Sequence, residues 1–158
     1  MAGPIAVSPG RVLTLAISAD TSAYADNDLL FDTQEVPQAF RRPGGTSLIH
    51  SLILLDQDDQ GVAVDLVFLS GSGSLGTENI AVSVTDAVAQ TVLGTASITT
   101  DLYCDLVNSQ VATMRNVGLT VTADGSSTSL YVAGIVRSGT PTFTASGLIL
   151  QVGLLDLA

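Results

Sequence analysis

The chain has 158 residues, 46% of them apolar, 13% charged and 4% aromatic, with no tryptophan. Thirteen aspartates and two glutamates stand against five arginines and no lysine, for a formal charge of −10. That balance speaks against nucleic acid, whose phosphates are bound by clustered cations, and against anionic membrane surfaces for the same reason, while the length suits a single domain.

Residues 1–10 contain two prolines and two glycines and read as an irregular N-terminal arm, followed by one β-sandwich domain over 11–158. The arm has neither a basic stretch nor a long apolar run, so no secretory signal is expected, and no run approaches the ~18 apolar residues of a membrane helix. Residues 11–18 alternate, with Val12, Thr14 and Ala16 on one side and Leu13, Leu15 and Ile17 on the other, as in a half-buried strand. A second strand is expected over 28–36, then a loop punctuated by Pro37, Pro43, Gly44 and Gly45 that holds Phe40, Arg41 and Arg42. Residues 46–55 and 62–70 are rich in Leu, Ile and Val, and the turn-forming stretch 56–61 between them predicts a hairpin. The glycine- and serine-rich stretch 71–76 reads as a flexible, linker-like loop.

Helical spacing over 85–93, with Thr85 or Asp86 as N-cap and Gly94 as stop, predicts one short helix. Further strands are expected at 96–100, 116–122, 129–137 and 147–155, with 101–114 open between strand and loop. Asp124-Gly125 is a second hairpin signal, because both residues accept positive φ. About eight strands with one short helix indicate an all-β fold, an antiparallel β-sandwich or jelly roll.

Parts for catalysis are scarce. His50 is the only histidine; its place among Leu48, Leu52 and Leu54 suggests a partly buried structural role rather than a general base. Cys104, the only cysteine, cannot form an intramolecular disulfide and is expected to be a buried, inert thiol. Gly-rich 71–76 lacks the lysine of a phosphate loop. The one ligand-like pattern is Asp56-x-Asp58-x-Gln60-Gly61, the opening half of a calcium loop; Val67 stands where its bidentate acid belongs. The expectation is therefore no enzyme, no cofactor and no strong metal site, with Asp56, Asp58 and Gln60 as weak candidates and Asp59 as a substitute ligand. So many apolar residues with so few charges also imply that some surface meets a protein partner.

The stretch LLDQDDQGVAVDLVFL at 54–69 resembles a family of small virion proteins encoded among the structural genes of tailed bacteriophages. MRNVGL at 114–119, SLYVAGIVR at 129–137 and GTPTFTASGL at 139–148 fit the same pattern. The resemblance implies a phage virion structural protein made in the host cytoplasm. The leading expectation is a capsid decoration (cement) protein on the capsid exterior, bound to the major capsid protein and to itself as a homotrimer. A tail or head-to-tail connector protein, or a non-enzymatic binding module, is the alternative. The arm and the loop with Phe40, Arg41 and Arg42, the only adjacent cations, are the expected capsid contacts.

Overall fold

The computed structural model describes residues 9–157. Most of the expected arm lies outside these residues, and Gly10 is already part of the first strand. Nine strands follow in order: β1 (Gly10–Ile17), β2 (Leu29–Val36), β3 (Thr46–Asp56), β4 (Val64–Leu69), β5 (Val92–Ile98), β6 (Tyr103–Asp105), β7 (Gln110–Thr122), β8 (Leu130–Val136) and β9 (Leu148–Asp156). They form two sheets, ordered β1-β9-β3-β7-β6 and β2-β8-β4-β5, with every neighbouring pair antiparallel.

The pairs β1·β9, β2·β8, β3·β7 and β4·β5 are successive rungs of one long antiparallel ribbon. Rolling that ribbon brings β9 beside β3 and β8 beside β4, which is the jelly-roll arrangement of a β-sandwich. β6 is an added edge strand on β7.

Both expected hairpins are corrected. β3 and β4 lie in different sheets, as do β7 and β8, so the acidic stretch after Asp56 and the turn at Asp124 carry the chain from one sheet to the other. Turn residues reverse a chain without choosing its partner; burial chooses it. Apart from Asp65, β4 and β8 are apolar on both faces, and they pair at the centre of the sheet that, among the described residues, is covered on both sides.

That second cover is the stretch 70–91. Leu75 is buried, and with Val82 and Val88 it packs on Leu29, Val67, Leu69, Ala133 and Ile135 from the outer side of the β2-β8-β4-β5 sheet. The stretch is therefore no loose linker. Asp32 holds it, accepting from the Leu75 N–H at 2.8 Å and from the Ser74 hydroxyl at 2.5 Å.

The expected helix is one turn, Asp86–Ala89, capped by the Thr85 hydroxyl that accepts from the Val88 N–H. Residues 92 and 93 already belong to β5, where Gly94 continues the strand instead of stopping a helix. None of the described helices is long and apolar enough to cross a membrane.

Between the sheets the core takes alternate residues: Leu15 and Ile17 from β1, Leu148, Leu150, Val152 and Leu154 from β9, and Val64, Leu66 and Phe68 from β4. In β3 the alternation reverses. Ser47 and Ile49 point inward before a register shift between Ile49 and Ser51, and Leu52, Leu54 and Asp56 point inward after it. Tyr24 and Phe143 close one end of the core edge to face, ring centroids 5.9 Å apart. Burial pushes the Tyr24 phenol up to about 12, with Glu78, Asp20 and Asp28 adding to it against a bond from the Asp20 N–H. The phenol donates to the Leu30 carbonyl at 3.0 Å.

Gly134 on β8 faces the ring of Phe31, where an added Cβ would sit 2.3 Å from Cε1. We expect Gly134→Ala to destabilise the fold by about 1–3 kcal/mol through overpacking. Urea denaturation checks this, and a variant as stable as the parent would mean the ring moves freely.

Candidate functional site

The acidic connection after β3 is built inward. Asp56 is 1% exposed. Its Oδ1 accepts from the Asp58 N–H at 3.0 Å, and its Oδ2 from the N–H groups of Gln60 and Gly61, both at 2.8 Å. Gly61 turns there with φ +58, a backbone region that favours glycine. Asp58 reaches across to the link before β9, accepting from the Thr144 N–H at 2.9 Å and from its hydroxyl at 3.1 Å. The Gln60 amide oxygen accepts from the Thr142 N–H at 3.0 Å, and Asp59 accepts from the Gln110 amide at 2.9 Å. Asp56, Asp58 and Gln60 are thus brought together, but as a clamp between two connections, with their oxygens aimed at protein donors. Among the described residues no three His, Cys, Asp or Glu side chains are grouped to hold a metal ion.

The loop with the paired arginines is also used internally. Phe40, expected at a capsid contact, is 2% exposed and packs in the core. Its backbone N–H bonds to the Thr128 carbonyl, which turns the loop inward. Arg41 binds Asp156 on β9 through its Nε. Arg11 on β1 takes the other oxygen of the same carboxylate at 2.6 Å and donates to the Ala39 carbonyl at 2.8 Å. Two of the five cations therefore close the end of the sandwich on one carboxylate. Arg42 remains exposed. Burial raises the Asp156 pKa, yet the hydrogen bonds and charges of Arg11 and Arg41 outweigh it and hold the group below its ordinary value.

His50 and Cys104 both differ from expectation. The register shift in β3 turns His50 out to solvent, beside a shallow depression lined by Val12, Ser51, Gly153 and Leu155. Cys104 is exposed on β6, because its edge strand has no neighbour to cover it. Cys104 lies opposite Val111, which lies opposite Leu55, five residues along β3 from His50. That is about 15 Å of strand, too far for a nucleophile and its base.

Sequence reasoning missed the tip of the β6–β7 hairpin. Leu106 is 54% exposed and Val107 78% exposed. Val107 also has φ +80, where a β-branched side chain is strained. The turn is held in that shape by the Asp105 carboxylate, which accepts from the Val107 N–H at 2.7 Å, and by the Leu106 N–H, which donates to the Ser109 carbonyl at 2.8 Å. Apolar residues beside Asn108 were the only trace of it in the sequence.

No family model and no curated protein sequence matches the chain. Among solved structures, the K3 cleaved adhesin domain of Lys-gingipain from Porphyromonas gingivalis aligns over 93% of this chain and 74% of its own, at 14% identity and TM-score 0.39. A chain of Desmodium yellow mottle tymovirus aligns over 99% of this chain and 86% of its own, at 13% identity and TM-score 0.29. The VP2 subviral particle of infectious bursal disease virus aligns over 94% of this chain but 37% of its own, at 13% identity and TM-score 0.36. The structures it resembles loosely are thus viral or adhesin β-domains, and likeness at this level assigns no residue a role.

Two expectations follow from the clamps. Asp56→Ala would leave three backbone donors without their acceptor, a loss of about 2–4 kcal/mol that calcium should not restore; thermal melts with and without calcium check both parts. Asp156 is below its unfolded value, so its contribution is complete above about pH 4 and is lost as pH falls through the lowered folded pKa. Asp156→Asn should therefore be less stable than the parent at pH 7, with the gap closing toward pH 2 in acid titrations of unfolding.

Proposed function

We propose that this chain is a structural component of a tailed-phage particle, a decoration subunit that sits on the outside of the head and bridges major capsid subunits. The strand order carries this reading: a rolled antiparallel ribbon is an architecture used for capsid domains, and it sets the sequence resemblance to virion proteins on a fold suited to that work. Because fold alone is an analogy, the role also has to rest on particular residues. The β6–β7 tip offers two exposed apolar side chains on a braced turn, so little order has to be gained on contact. A chain of charge −10 with no lysine would stay clear of packaged DNA and suits the outer side of a shell.

A protein inventory of purified particles from the encoding phage tests the assignment, and its absence from them would end it. Particles stripped of the subunit should burst at a lower temperature and recover when it is added back. Val107→Gly should relieve the strained φ and raise folding stability by about 1 kcal/mol, yet weaken retention on heads. Undiminished retention of Val107→Asp would remove the tip from the contact.

A further inference from the structure

We propose that the outer face of the β1-β9-β3-β7-β6 sheet is a self-association surface, on which two copies of this chain pack sheet against sheet. The strand registers set out its side chains in rows. One row runs Ala16, Ile149, Leu55, Val111 and Cys104, and the next runs Thr14, Gln151, Ile53 and Thr113. A third runs Val12, Gly153, Ser51 and Arg115, and beyond the register shift Leu155 lies against Leu48. Their neighbours along each strand fill the core, so these residues point away from it.

The other sheet hides its outer face under the stretch 70–91. This one has no such cover among the described residues: Val12 is 63% exposed, Thr14 and Ala16 are exposed, and Leu48, Ile53, Leu55, Ile149 and Leu155 are only partly buried, by their own neighbours. None of the 15 carboxylates lies in these rows, and Arg115 is their one formal charge.

That charge pattern selects a second copy as the occupant. Two molecules of charge −10 repel through most of their surface and can approach closely where the acids are missing. Four long strands about 4.8 Å apart, by the eight residues of β1, give roughly 500 Å² of sheet per copy. A pair would cover about 1,000 Å², the threshold for a specific interface, and flat sheets stack about 10 Å apart with interdigitating side chains. A single face that matches itself closes at two copies, in place of the homotrimer that the resemblance implies. The inference rests on the sheet's chemistry and not on the virion reading; a chain that stays monomeric would end it and leave attachment through the β6–β7 tip standing.

Sedimentation velocity of the full chain from about 1 to 100 μM tests it. We expect a reversible dimer that strengthens with added salt, since screening relieves the repulsion between the acidic remainders. Gln151→Glu puts a carboxylate of the same shape at the centre of the face, and Ile53→Glu puts one beside it. Each should weaken the dimer by on the order of 100-fold with the circular dichroism spectrum unchanged, whereas Asp101→Asn, on the exposed turn before β6, should not. A wild-type monomer throughout the range, a stoichiometry other than two, or a dimer that persists in both Glu variants would each overturn the pairing. Gln151 is already polar and partly exposed, so Gln151→Glu keeps the test decisive if Ile53→Glu fails to fold.

Discussion

A sandwich whose strands pair with distant partners keeps sending its chain between sheets, and each crossing takes backbone N–H groups out of a ladder. Here six of the eight links between successive strands cross in this way. Donors left without an acceptor in a link weaken the fold, and this chain answers with aspartate, on exposed links as well as on part-buried ones. Asp20, Asp28, Asp56, Asp58 and Asp124 each accept a hydrogen bond from a backbone N–H in a link that crosses, and Asp32 and Asp105 do the same in the two links that stay within a sheet. For Asp20 and Asp124 that bond is the main cause of a lowered pKa, so the caps stay charged. Nearly half of the acids of the chain are thus used in turn chemistry.

The same economy explains the difference between the two sheets. Apart from Asp65, strands β4 and β8 are apolar on both sides and are covered on both, by the opposite sheet and by the stretch that Asp32 anchors. Strands β1, β3 and β9 carry Thr14, Ser51 and Gln151 among aliphatic residues on their outer side, a mixture that tolerates water without repelling another protein surface. The two outer faces therefore differ: one is covered by a packed stretch of chain, the other is left open among the described residues.

Much of this was legible in the sequence. Alternation located β1 and β4, and apolar runs set off by turn residues located β8 and β9, each to within a residue or two, and Thr85, one of two candidates, is the N-cap. Partnership was not legible, because the signals at Asp56 and Asp124 announce a reversal and say nothing of the sheet that receives the next strand. His50 was misplaced because periodicity assumes an unbroken ladder, and the register shift beside it moves every later residue to the opposite face. Phe40 sits next to two arginines and so reads as surface, although the loop folds back over the core. Cys104 was judged from the usual burial of cysteine, which fails on a three-residue edge strand. The clamp on Asp156 joins residues 115 and 145 positions apart, beyond any local pattern.

The position of β9 has a consequence for how the protein is made. The last strand in sequence is an inner strand of its sheet, lying between β1 and β3. A ribosome releases the chain from its N-terminus, so β1 has no ladder partner until residues 148–156 have left the exit tunnel. Until then β1 and β3 present open edges and uncovered leucines, the state in which nascent β-proteins pair with the wrong neighbour. Closure of this sandwich accordingly waits for β9 and is paced by its longest loop, a contact between β1 and β9 that no local pairing can replace.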